Sequence, residues 1–346
     1  MQRSWLCAFL LATAVVAFDA EAARTRAVQP RDPGRCSFAA GPLAEFSYPT
    51  ILASDGQHLY WVDLFENAIL RVPILGGATT QVAPLEEWVP LSMIVDETSV
   101  YLGVVPFEIL EGPMPGSILV APKGGGVLAT LISGVEWPAQ IVADSTHLYW
   151  AAVGTLNFPQ ESLASNGKIE RARKSGQERQ ALAEDLSAPL GLALDGDVLY
   201  FGQTGLADDD PTVGVYRVAK TGGPVTTIND ETVAAGLSVT DDSIVFWGGD
   251  ETFDTALFEL SKNGSILRTI LVDDAIASGP QIVDGRAYYY NEDSETTSIR
   301  WIDIEHPADP VTVVEGDLTS ESFLADACSV TYSLFAPGEI RRVPRP

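Results

Sequence analysis

Two stretches carry carboxylates densely enough to hold a hard cation. One is Asp208-Asp209-Asp210, within Gly205 to Pro211; the other is Asp250-Glu251-Thr252-Phe253-Asp254. Clustered carboxylates with backbone carbonyls between them suit Ca²⁺, an oxygen-seeking ion. Neither stretch has the spacing of an EF-hand. They are therefore candidate Ca²⁺ ligands by residue type alone. The chain has three histidines, His58, His147 and His306. His58 and His147 precede the same Leu-Tyr-Trp triplet in two copies of a repeat, and His306 lies beside a proline. Ligands of a zinc or lyase site must converge on one point, and repeat-equivalent positions do not. No G-x-S-x-G, H-E-x-x-H or phosphate-binding glycine loop occurs, so no catalytic residue is assigned. Asn263-Gly264-Ser265 fits a glycosylation acceptor but reads better as an Asn-Gly turn.

The balance of 47 Asp and Glu against 21 Lys and Arg gives a formal net charge of -26. Such a charge disfavours nucleic acid and anionic membranes as partners and favours cationic ones. Arg3, the apolar run Leu6 to Phe18 and the small-residue site Ala20-Glu21-Ala22 read as a signal peptide over residues 1–22. The apolar run is too short to span a bilayer, and no later stretch could. A secreted or periplasmic protein is expected. Residues 23–35 read as a disordered leader. After removal of Cys7, Cys36 and Cys328 remain, an even pair that reads as a disulfide in an exported chain.

What must position these residues is a repeat. Asp144-Ser145-Thr146-His147-Leu148-Tyr149-Trp150 is a polar turn running into an aromatic strand. Its copies start at Asp55, Asp96, Asp195, Asp241, Asp284 and, in worn form, Asp326, at steps of 41 to 51 residues. A strand-rich period in the forties predicts a β-propeller with one four-stranded blade per copy. Residues 36–346 are thus expected to form one all-β domain of seven blades. The seventh copy has room for only three strands, and Ser37-Phe38-Ala39 is the expected donor of the fourth. The leading aspartates should bond their own turn backbone, and the aromatic pairs should pack between blades.

Tyr60-Trp61-Val62-Asp63 resembles the YWTD signature of propellers in the low-density-lipoprotein receptor family. The third-strand spacing Ile69-x-Arg71, Ile169-x-Arg171, Val215-x-Arg217 and Ile340-x-Arg342 is similar to that family's. Only the first copy keeps the final Asp, and that family has six blades rather than seven. The chain also resembles secreted bacterial propellers of unassigned role. Both resemblances imply a binding scaffold rather than a chemistry.

The charges fall unevenly over the repeat. In a propeller the second-to-third strand loops and the links between blades share one face; the other turns share the opposite one. The loop face would hold 27 of the 47 acids and no Lys or Arg. The lysines Lys123, Lys174, Lys220 and Lys262 fall on the short-turn face. The expected function is an exported, monomeric, non-catalytic propeller whose acidic face meets a cationic ligand or protein. The alternative is an enzyme of the lactonase or lyase kind, with a divalent cation at the central channel and Gln140 and Gln281 as its polar lining.

Overall fold

The computed structural model describes residues 41–45, 48–107, 112–113, 115–158, 162–163, 165–205, 212–249, 255–273, 275–292, 296–316, 318, 322–334 and 338–345. Seven four-stranded antiparallel sheets form a seven-bladed propeller, with no helix among these residues. Blade 1 runs outward through Pro49–Ser54, His58–Asp63, Ala68–Pro73 and Thr80–Pro84. The innermost strands of the next five blades are Trp88–Val95, Pro138–Ala143, Pro189–Asp195, Gly236–Val239 and Ile276–Val283. Blade 7 consists of Phe323–Ala325, Ser329–Leu334, Glu339–Pro344 and an outermost strand from the other end of the chain, Gly41–Glu45.

That closing strand pairs Gly41 with Arg342 and Glu45 with Glu339. It therefore lies downstream of Ser37-Phe38-Ala39, which fall outside the described residues. Closure removes the unpaired edge that an open ring would expose. One further sheet has no counterpart in the repeat. Gly112–Pro113, Leu156–Phe158 and Ser162–Leu163 join the second-to-third loops of blades 2 and 3 across the loop face.

The strands form because β-branched and aromatic residues sit between polar turns. Their two faces pack in opposite directions. Tyr60 joins Met93, Val100 and Leu102 of blade 2, whereas its neighbour Trp61 joins Leu324 and Ile340 of blade 7. Both rings are fully buried. A blade is thus sandwiched on both sides, and period-two alternation sends one residue of each aromatic pair to each neighbour. Some contacts leave no room for a side chain. A Cβ on Gly248 would lie 1.7 Å from the Val233 carbonyl oxygen in the link between blades 4 and 5.

Cys328 lies in the first turn of blade 7, where its N–H donates to Asp326 Oδ1 at 2.7 Å. Its expected partner Cys36 lies outside the described residues, five positions before the closing strand. Peptide mapping of unreduced protein should recover Cys36 linked to Cys328, while two free thiols would refute the pairing. Such a bond encloses a loop of about 290 residues, for which chain entropy gives about 5 kcal/mol of stabilisation.

Candidate functional site

The candidate Ca²⁺ residues Asp208, Asp209, Asp210, Asp250, Glu251 and Asp254 all lie outside the described residues. The described second strands that precede them in the chain, Val198–Gln203 and Ser243–Gly249, end on the loop face. On that face Glu66, Glu86, Glu87, Glu184, Asp185, Asp230, Glu231, Glu292 and Glu315 are exposed. Asp63 is not part of this field. It is fully buried, and its carboxylate accepts the N–H groups of Phe65 and Glu66 at 3.0 Å each, with that of Tyr48 at 3.4 Å. Two third-strand cations reach the face although no loop carries one. Lys168 pairs with Glu184 at 3.2 Å, and Arg300 with Asp273 at 3.4 Å.

Gln140 and Gln281 do line the central channel, in a cavity of about 530 Å³, but they are engaged in holding blades together. Gln140 Oε1 accepts the N–H of Leu192 in blade 4 at 2.6 Å. Gln281 donates to the Phe323 carbonyl at 2.5 Å and accepts from the Ala325 N–H at 2.8 Å, both in blade 7. Ser322 and Ser238 make the same kind of clasp, to the Leu52 N–H and the Pro280 carbonyl at 2.6 Å each. His58 and His147 stand on blades 1 and 3, separated by blade 2. Each ring lies 3.9 Å from its own turn aspartate.

The short-turn face holds a feature that sequence reasoning missed. Asp55 Oδ1 accepts the N–H groups of Gln57 and His58 at 2.8 and 2.7 Å, as its turn predicts. Its other oxygen accepts the Tyr60 hydroxyl at 3.0 Å and, from blade 2, the Lys123 ammonium at 2.9 Å. The next junctions repeat this. Lys174 of blade 3 lies 2.9 Å from Asp96 of blade 2, and Lys220 of blade 4 lies 3.5 Å from Asp144 of blade 3. Lys262 of blade 5 bonds Asp195 of blade 4, and Arg345 of blade 7 bonds Asp284 of blade 6. Third-strand arginines reinforce the junctions. Arg71 and Arg171 each donate to the carbonyl of the next blade's lysine, Lys123 or Lys220, at 2.7 Å.

Two junctions differ. Ile74 occupies the lysine position of blade 1, so Arg342 takes over. It binds Asp326 at 3.3 Å and the Ile74 carbonyl at 2.9 Å. Between blades 5 and 6 both partners are uncharged. The turn of blade 5 is led by Thr240, whose Oγ1 accepts the Ser243 N–H at 2.9 Å, and the lysine position of blade 6 is Ile304. The aligned Asp241 therefore stands one residue late, on the turn itself, and so does Asp284. The tight turn pairing Val283 with Arg286 puts Val283 in the leading place. Of the seven leading aspartates, Asp55, Asp96, Asp144 and Asp326 bond their turns as expected, Asp195 leads its turn and bonds Lys262, and the expectation fails at Asp241 and Asp284.

Burial alone would raise the Asp55 carboxyl, but Lys123 and the N–H groups of His58 and Gln57 hold it below its ordinary value. Asp96 is lowered by the same balance. At Asp144 the N–H groups of Thr146 and His147, with the Tyr149 and Thr146 hydroxyls, outweigh burial and bring it to about 2. Burial, then the aspartate charge, pushes Tyr60 and Tyr101 up to about 12.

No family model matches the chain, and no curated protein matches it. Solved structures do. The β-propeller domain of the Trilobed protease from Pyrococcus furiosus, described as having an open velcro topology, aligns at TM-score 0.58 and 13% identity, covering 86% of this chain and 95% of that one. An oligogalacturonate lyase in complex with manganese aligns at TM-score 0.57 and 9% identity, covering 87% and 91%. A chain of a nidogen/laminin complex aligns at TM-score 0.47 and 20% identity, covering 64% and 79%. This chain is a seven-bladed β-propeller. Likeness at TM-scores of 0.57 and 0.58 establishes the fold alone, and a fold does not by itself choose a function. Unlike the open domain, this ring is closed by Gly41–Glu45.

The latch carboxylates make stability depend on pH with a defined sign. Folded values below the ordinary 3.8 stabilise the fold above about pH 4, and that contribution is lost as pH falls towards 2. Raised phenols stabilise it below pH 10, and their contribution is lost as pH rises towards 12. Thermal melts should therefore fall away at both ends, and Asp144→Asn should flatten the acid limb. Lys123→Met strips a partner from a mostly buried carboxylate and should cost about 1–3 kcal/mol; unchanged denaturant midpoints would refute the latch.

Proposed function

We propose that this protein is an exported binding propeller whose loop face docks a cationic partner. The observation that carries the reading is the contrast between the two faces. On the short-turn face the turn carboxylates of blades 1 to 4 are each met by a lysine from the next blade. On the loop face most described carboxylates are exposed, and among the described residues at that face ion pairs reach Glu184, Asp273 and Glu339. An uncompensated field of one sign costs self-repulsion and draws in opposite charge. Long loops on a rigid ring are also where binding usually sits. The engagement of Gln140 and Gln281 in blade clasps supports this reading over chemistry in the channel.

Two charge-neutralised variants test it at equal charge change. Glu86→Gln, Glu87→Gln, Asp230→Asn and Glu231→Gln together alter the loop face. Glu97→Gln, Asp241→Asn, Asp242→Asn and Glu305→Gln together alter the short-turn face. Both variants should melt close to the parent, since exposed substitutions usually change stability by no more than about 0.5 kcal/mol each. Binding to immobilised polylysine at low salt should weaken at least tenfold more in the first variant. Equal losses would refute a face-specific role. Ca²⁺ is proposed as a second ligand of this face: it should raise the melting temperature, and Asp208→Asn, Asp209→Asn and Asp210→Asn together should reduce the shift.

A further inference from the structure

Blade 1 is the one copy that keeps the final Asp of its aromatic signature, and Asp63 has a specific use. Fully buried, it holds the second-to-third loop by the N–H groups of Phe65 and Glu66. The loop it fixes turns apolar side chains outward: Phe65 is 76% exposed and Leu64 44%. Leu64 N–H donates to the Tyr48 carbonyl at 3.1 Å, and Tyr48, Leu64 and Phe65 line a shallow depression. An aromatic ring presented to water by a loop with a buried carboxylate anchor is preorganised surface.

The patch extends to blade 2. The link between the blades runs beside both loops: Leu85 N–H donates to the Asn67 carbonyl at 2.7 Å, and the Glu87 carbonyl accepts the Phe107 N–H at 3.0 Å. Phe107 is 72% exposed. Glu86 and Glu87, both exposed, thus stand between two outward aromatics, with Glu66 beside the first. Glu86 is held at φ 62°, a left-handed conformation that costs a non-glycine residue of order 1 kcal/mol. On the short-turn face the prominent apolar side chains include Leu75, Val127 and Ile266, none of them aromatic.

We propose that this acid-flanked aromatic patch of blades 1 and 2 docks a basic polypeptide segment bearing an aromatic side chain between its lysines or arginines. The aromatic side chain packs against Tyr48, Leu64 and Phe65, and the cations meet Glu66, Glu86 and Glu87. Cations beside Phe65 and Phe107 also gain from the ring faces. The assignment rests on the acidic-face reading and narrows it to one partner class and one place.

Two synthetic peptides of equal charge separate the two claims. One has tryptophan between pairs of lysines, and the other has glycine there. The full mature protein should bind the tryptophan peptide at least tenfold more tightly. Phe65→Ser with Phe107→Ser should erase that preference while leaving glycine-peptide binding intact. Equal binding of the two peptides by the parent, or a preference that survives in the variant, overturns the patch and leaves the acidic face standing. Failure of both peptides to bind overturns both. Sedimentation of the parent is the further check: self-association abolished by the two serines would assign the patch to a second copy of this chain and overturn the proposal. A circular dichroism melt confirms that the variant folds, as exposed positions predict.

Discussion

The contact on which this ring leans is a cation reaching from one blade onto a buried carboxylate of the blade before it. Aspartate arrives at that meeting already committed. Its turn N–H groups and a tyrosine hydroxyl hold it in place, so the lysine meets a fixed acceptor. Fixed geometry and partial burial are what make an ion pair worth more than a surface one. The lysine comes from the third-to-fourth strand turn, and the arginine of the blade behind binds that lysine's carbonyl. The junctions of blades 1 with 2 and 3 with 4 are therefore stitched in both directions.

The exception between blades 5 and 6 follows the same physics. An ion pair at a half-buried junction can be exchanged for apolar contact if both partners change together, because no charge is then stranded. Thr240 and Ile304 are such an exchange. Ile304 is 5% exposed and packs with Trp247, Ile270 and Tyr289. Arg268 of blade 5 still crosses to the Ile304 carbonyl at 2.5 Å, so the junction keeps one polar tie.

This construction divides the molecule by charge. Lysines drawn into latches are not available to balance the carboxylates of the opposite face. The inner strands likewise use Gln140, Gln281, Ser238 and Ser322 as blade-to-blade clasps, which ties up polar groups a channel site would need. The loop face is left acidic and long-looped, with Asp63 turning Phe65 outward. Rigidity at one face and exposed charge at the other are the features on which the proposed binding role rests.

Much of the architecture was legible in the residues. Polar turns, aromatic pairs and paired glycines act over a few positions, so local chemistry alone specified strands and turns, and their recurrence counted the blades. For the acids the structure describes, their segregation was legible too, because loop order in a blade dictates which face a loop joins, although Asp63 turned inward as a buried anchor. The latches were not. Lys123 and Asp55 are 68 positions apart, and a lysine in a turn does not announce that its partner belongs to the preceding blade. Nor could spacing reveal that Asp241 and Asp284 stand one place late. Aspartates at turns look alike in sequence, and only strand pairing decides which residue leads. The same holds for Gln140 and Gln281, whose role depends on the backbone groups a neighbouring strand brings to them. Closure by Gly41–Glu45 was a matter of register, which is set by the edge of blade 7 and not by the strand's own residues. Short-range stereochemistry determined what each segment is; packing of blades against one another decided what each charge does.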